Sequence, residues 1–277
     1  MKSSVLPVVL LVAPLLVSCG SGSLADGEAA QASSTAEATE AAETGEAGEV
    51  HWSYDGEEGQ DEWGDLSADF ETCSAGHAQS PIDLPAHADQ EPTEYLKITS
   101  TPTVAQSVDT GHTIQLVPER GASRVERDGT EFDLAQLHFH APSEHTVDGE
   151  AMDAELHFVY ATPGGQTLVV GVFAEEGTRE NKVWQPFVEG AARPGTTDLP
   201  FYVAAMLPTD PTYVSYLGSL TTPPCTEGVH WVVYSTPVKL SADQIAVLEE
   251  ASQGHNARHT QPEGNRTVSE GTAVLAH

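Results

Sequence analysis

Residues 50–277 are predicted to form a mainly β (α+β) domain, with a large twisted, mostly antiparallel central sheet and a few short peripheral helices. Three observations predict it. Short runs of β-branched and aromatic residues recur, each bounded by Gly, Pro or Asp. Only 181–189 and 241–251 read as helical. Composition changes sharply near residue 50, where tryptophan, tyrosine and proline begin to appear regularly.

The first 19 residues read as an export signal. Lys2 precedes an apolar run from Val5 to Val17, too short to span a membrane, which ends in Leu16-Val17-Ser18-Cys19. A cysteine directly after Leu-Val-Ser resembles the lipobox of bacterial lipoproteins, in which that cysteine becomes the lipidated first residue. A plain secretory signal with an incidental Cys19 is the other reading. The expected location is the cell envelope, with Cys19 anchoring the chain to a bacterial membrane. Residues 20–49 are mostly Ala, Glu, Ser, Thr and Gly, with seven acidic residues and no basic or aromatic one. Such a stretch cannot bury a core and is expected to be a disordered acidic linker.

From residue 50 onward, the runs 113–117, 167–173, 201–207 and 230–234 read as strands. In 241–251, Ser241 is a candidate N-cap, with Ile245, Val247 and Leu248 apolar and Leu240 packing beside them. The 277-residue chain carries 42 acidic against 11 basic side chains, a net charge of −31. That surface repels nucleic acid and gives no help in binding anionic lipid, so any membrane contact must come from a lipid anchor. Scarce lysine with abundant acid also fits adaptation to saline surroundings. Of three cysteines, Cys73 and Cys225 remain if Cys19 is lipidated. In an exported protein they could pair, or stay as two thiols. A bridge would close a long loop, stabilising by roughly 5 kcal/mol at most on the chain-entropy estimate.

The stretch 136–159 concentrates the chemistry. His138 and His140 are two residues apart, so on a strand both imidazoles lean from one face. Val147-Asp148-Gly149-Glu150 suits a turn, and 154–159 alternates again. If the two runs pair as antiparallel neighbours, His157 arrives beside the first two. Three imidazoles with one open position make a catalytic zinc site. Gln136 and Glu155 each stand two residues before a ligand, where the outer ring hydrogens need acceptors. The plainer alternative is a half-buried polar hairpin whose histidines are satisfied by neighbours.

Several motifs in order resemble the α-class carbonic anhydrases over nearly the whole domain. They are His51-Trp52-Ser53-Tyr54, Gln79-Ser80-Pro81-Ile82, Gly111-His112, His138-Phe139-His140, 143–149 (Ser-Glu-His-Thr-Val-Asp-Gly), Ala154-Glu155-Leu156-His157, 218–224 (Gly-Ser-Leu-Thr-Thr-Pro-Pro) and Asn256-Ala257-Arg258. The resemblance implies an enzyme that reversibly hydrates carbon dioxide to bicarbonate and a proton, with Zn2+ on His138, His140 and His157. The metal would bring the pKa of its bound water into the neutral range, so that hydroxide attacks the substrate. It implies that Thr221 orients that hydroxide through a hydrogen bond to Glu144. Val159, Val169, Leu220, Val229 and Trp231 match the hydrophobic wall that holds carbon dioxide, and strand periodicity independently sets Val159 on the face of His157. His112 matches the proton shuttle, and Tyr54 and Gln115 match side chains holding its water chain. Thr110 stands where many members carry asparagine, which puts the detail of that network in doubt. Asn256 matches the backbone acceptor for His140. Cys73 and Cys225 sit where secreted bacterial members have a disulfide, and His145 is expected to make a structural hydrogen bond.

Two rival readings fit the residues less well. A cupin-type metal barrel fits His138, His140 and Glu144 but neither the glycine spacing nor the third histidine. A zinc-binding module without turnover is disfavoured because all three histidines, Thr221 and Glu144 are present.

Overall fold

The computed structural model describes residues 50–88 and 96–276. The expected leader 1–19 with Cys19, and the linker 20–49, lie outside the described residues. Fifteen strands follow in order: β1 Asp83–Leu84, β2 Leu96–Ser100, β3 Thr103–Asp109, β4 Ile114–Pro118, β5 Ser123–Arg127, β6 Thr130–His140, β7 Thr146–Val147, β8 Glu150–Ala151, β9 Ala154–Ala161, β10 Thr167–Gly177, β11 Leu199–Phe201, β12 Thr212–Ser219, β13 Glu227–Ser241, β14 Ser269–Thr272 and β15 Val274–Ala276. The α-helices are short: α1 Trp63–Leu66, α2 Thr72–Ala75, α3 Gln185–Ala192, α4 Val203–Met206 and α5 Ala242–Ala251.

Twelve strands form one sheet, ordered β11-β3-β4-β6-β9-β10-β13-β12-β14, with β5, β2 and β15 branching from β6. Its pairings are antiparallel except β10 with β13 and β15 with β2. The expected mostly antiparallel sheet is therefore present, with a parallel pair at its centre. The Asp-Gly turn is present too: Asp148 and Gly149 both have positive φ, 51° and 85°, and they join β7 to β8 in a separate small sheet with β1.

Two local expectations need correction. The helix expected at 181–189 starts four residues later, as α3. Pro186 lies in its first turn, where a missing N–H costs nothing. Asn181 instead folds a turn, its side chain accepting from the Val183 N–H at 3.2 Å and donating to the Lys239 carbonyl at 3.0 Å. The run 201–207, expected as a strand, ends β11 at Phe201 and continues as α4. Val203 and Met206 are buried three apart, a helical spacing that so short an apolar run does not distinguish from alternation. The other helix stands as expected: Ser241 caps α5 in a capping box with Gln244, and Ile245 and Leu248 are buried.

The central strands are buried on both faces, and parity sorts their side chains. Leu137, Phe139, Leu156, Phe158, Val170, Val172, Val232 and Tyr234 join the main core. There α3 adds Phe187 and Ala191, α5 adds Ile245 and Leu248, and Trp184 packs alongside. Each such large apolar side chain contributes roughly 1.5–3 kcal/mol of burial. The opposite parity carries Val159, Val169, Val229, Trp231 and Val233 in a second cluster, partly covered by Leu220. The histidines share this second parity.

Gly171 makes room on that face. It pairs with His157 across β9 and β10, and a Cβ there would lie 2.9 Å from Glu155 Oε1 and 3.3 Å from Val233. Gly171→Ala is expected to lower the unfolding free energy by about 1–3 kcal/mol through overpacking. Chemical denaturation measures it, and an unchanged midpoint would contradict the crowding.

Candidate metal centre

The register of β6 and β9 sets His138 directly opposite His157, with His140 opposite Glu155. Ring centroids of the three histidines lie 5.0, 5.1 and 4.7 Å apart. One nitrogen from each falls within 4.8 Å of the others, and all three side chains are buried. The outer nitrogens of His138 and His140 are hydrogen-bonded, and that of His157 lies against a carboxylate. His138 Nδ1 meets Gln136 Oε1 at 2.9 Å, and His140 Nδ1 meets the Asn256 carbonyl at 2.6 Å. His157 Nε2 lies 3.0 Å from Glu155 Oε1. That leaves Nε2 of His138 and His140 and Nδ1 of His157 on the inner side. His140 Nε2 is buried with no hydrogen-bond partner among the described residues. A buried ring nitrogen without a partner is costly unless something else binds it, so the residues present fit a tetrahedral cation with one position left open.

Electrostatics keeps the rings ready to ligate. Burial, reinforced by the neighbouring imidazoles, holds His138 well below the ordinary histidine range. Burial also lowers His140 to about 4. Deprotonated imidazole is the form that binds metal. Burial alone would raise the Glu155 carboxyl, but the adjacent His145 and His157 hold it well below the usual carboxylate range.

Glu155 does more than the sequence suggested. Its Oε1 lies 2.7 Å from His145 Nδ1, and its Oε2 accepts the backbone N–H groups of Glu144 and His145 at 3.1 and 2.8 Å. His145 Nε2 in turn meets the Tyr216 hydroxyl at 2.6 Å, and that hydroxyl donates to Ser80 Oγ at 2.8 Å. The expected structural hydrogen bond of His145 is thus one link in a buried chain. Tyr216, Ser80 and Arg258 were not singled out for roles. The available signal was that Ser80 and Arg258 each lie inside a matching motif. Arg258 donates to Gln79 Oε1, the Ser80 carbonyl and the Cys73 carbonyl at 2.9, 2.8 and 3.0 Å. Cys73 and Cys225 are joined as a disulfide, and Gln79 donates to the Cys225 carbonyl at 3.1 Å.

Glu144 sits beside the three rings, its Oε2 3.5 Å from His140 Nε2. Its Oε1 accepts the Arg258 backbone N–H at 2.8 Å. Burial raises its carboxyl to about 7, against His157, that N–H and a hydrogen bond from Thr221. Thr221 is buried on the loop after β12, closed by a Cys225 N–H to Thr222 carbonyl bond of 2.8 Å. Val159, Val169 and Trp231 form one row across β9, β10 and β13. Val229 and Leu220 complete the patch.

His112 lies on the turn between β3 and β4, half-buried, its ring stacked 3.6 Å from Trp52. Asn256 links this turn to the histidines. Its side-chain oxygen accepts the Ala141 N–H at 2.9 Å, and its nitrogen donates to the Phe139 and His112 carbonyls at 3.0 and 3.3 Å. Thr110 bonds within its own turn, its hydroxyl donating to the Thr113 carbonyl at 2.8 Å. Leu116 pairs with Leu137 on the main-core face, so buried Gln115 next to it faces the side of Gln136 and His138. Tyr54 is half-buried, edge-on to Trp52 at 5.5 Å.

Residues 58–272 match the family model described as eukaryotic-type carbonic anhydrase. A carbonic anhydrase from Klebsiella pneumoniae is 39% identical over 228 residues, spanning 79% of this chain and 91% of that protein. One from Neisseria gonorrhoeae is 34% identical, spanning 80% and 88%. Among solved structures, the α-carbonic anhydrase of Thermovibrio ammonificans, in complex with the inhibitor sulfanilamide, superposes with a TM-score of 0.75. It is 37% identical and covers 80% of this chain and all of that one. Dioscorin complexed with ascorbate superposes at 0.74 with 27% identity, over 81% and 99%. The parity of the sheet, the three converging imidazoles and these likenesses agree: the chain belongs to the α-class carbonic anhydrases, an enzyme family acting on carbon dioxide and bicarbonate.

Proposed function

We propose that the protein converts carbon dioxide and water to bicarbonate and a proton, reversibly and with zinc. The observation that carries this reading is the convergence of His138, His140 and His157, two of them hydrogen-bonded on the outer nitrogen and the third beside Glu155, next to the Val159-Val169-Trp231 row. The three inner nitrogens would hold zinc, which supplies a Lewis acid that acidifies coordinated water. The protein's own groups do the rest. An ionised Glu144 can only accept hydrogen bonds, so the Thr221 hydroxyl must donate to it. The Thr221 oxygen is then left to accept from the attacking water and aim its lone pair. Val159, Val169, Leu220, Val229 and Trp231 seat an uncharged substrate that gains nothing from a polar site. His112 accepts the released proton through water, with Tyr54 and Gln115 ordering that path.

The disulfide is a feature of oxidising compartments. It supports export, and with Leu-Val-Ser before Cys19 it supports a lipid-anchored chain in the cell envelope.

Three outcomes are expected. His157→Ala abolishes both zinc retention after dialysis and carbon dioxide hydration in a stopped-flow assay; stoichiometric zinc in that variant contradicts the ligand set. His112→Ala lowers turnover about tenfold or more in dilute buffer and recovers with added imidazole; without recovery the relay lies elsewhere. Intact mass of membrane-extracted protein starts at a lipidated Cys19; an unmodified chain contradicts the anchor.

A further inference from the structure

The stacked pose of His112 raises a transport problem. Its Nε2 atom is shielded from solvent, and Trp52 covers one ring face. In this arrangement that nitrogen has almost no exposed surface for a buffer molecule to meet, yet each turnover of the proposed reaction releases a proton. The neighbouring surface contains an exposed histidine with no assigned role. His255 immediately precedes Asn256, whose side chain holds the His112 carbonyl. Its side chain is 45% exposed, with Nδ1 4.0 Å from Asp55. Its ring lies edge-on to Tyr54 at 6.2 Å, and Tyr54 packs edge-on to Trp52, which carries His112. Two more histidines meet carboxylates of the same 55–61 segment: His51 lies 2.7 Å from Glu58, and His259 lies 3.9 Å from Asp61.

We propose that His255 is the outlet of the proton relay. It takes the proton leaving His112 across bridging water and delivers it to external buffer. Asp55 gives the protonated ring a counter-charge, and His51–Glu58 and His259–Asp61 flank it as further exposed acceptors. The step is proton transfer alone: one nitrogen loses the proton that the next gains, and the buffer leaves protonated. Histidine suits the task because it exchanges protons in the neutral range. The inference rests on the reading above that His112 is the shuttle.

The test uses the zinc-loaded enzyme and two variants. The first is His255→Ala. The second, His87→Ala, is a comparison, since His87 pairs with Glu270 on β14. Turnover is measured in dilute bulky buffer and in concentrated imidazole, alongside kcat/KM for carbon dioxide and bound zinc. In His255→Ala, turnover in the bulky buffer is expected to fall about threefold or more. Its kcat/KM and zinc content should stay parental, and imidazole should restore turnover. His87→Ala should match the parent throughout. Parental turnover of His255→Ala in bulky buffer overturns the outlet. So does a parallel fall in kcat/KM, which marks a structural role, or an equal loss in His87→Ala. Failure of the parent itself to hydrate carbon dioxide in concentrated imidazole overturns the zinc reading and the outlet with it.

Discussion

The structure depends on one buried carboxylate. Glu155 stands between two imidazoles and two backbone N–H groups, accepting from both N–H groups, hydrogen-bonded to His145 and lying 3.0 Å from His157 Nε2. Burying an isolated carboxylate is costly, and pairing with hydrogen-bonding partners offsets that cost. Here the partners are also the parts that must be placed. Through His157 the carboxylate orients a candidate ligand. Through His145 it reaches Tyr216 and Ser80. Through the N–H groups of Glu144 and His145 it fixes the backbone that presents Glu144 to the histidines. Gly171 leaves the space the carboxylate occupies.

Strand alternation explains why this arrangement coexists with a well-packed domain. One parity of β6, β9, β10 and β13 feeds the main core, and the other carries the histidines and the second apolar cluster. A single-residue slip in register would exchange the two sets. The polar site is therefore specified by the same hydrophobic pattern that folds the sheet. Hydrogen bonds to the outer ring nitrogens add orientation that packing alone does not supply.

Much of this was legible in the sequence because the site is local in sequence. His138, His140 and His157 lie on adjacent strands, and two-residue spacing placed Gln136, Glu155 and Val159 without any long-range information. The capping box at Ser241 was equally local. Short apolar runs were not decisive: 201–207 alternates like a strand, yet Val203 to Met206 close a helical turn. The Asn181 segment failed for another reason, since its turn is held by the Lys239 carbonyl, a partner far along the chain. The Tyr216–Ser80 link and the Arg258 clasp were likewise hidden, because each joins residues more than a hundred positions apart. The parallel pairing of β10 with β13 has no local signature at all.

Asn256 ties three things with one side chain and one carbonyl: a candidate ligand ring, the backbone after His140, and the turn that carries His112. A shift of this one residue would therefore displace the His140 ring and the His112 turn together. Remodelling the turn between β3 and β4 therefore bears on the cluster of three histidines as well. A substitution that reshapes one must disturb the other, and this single residue is where the two meet.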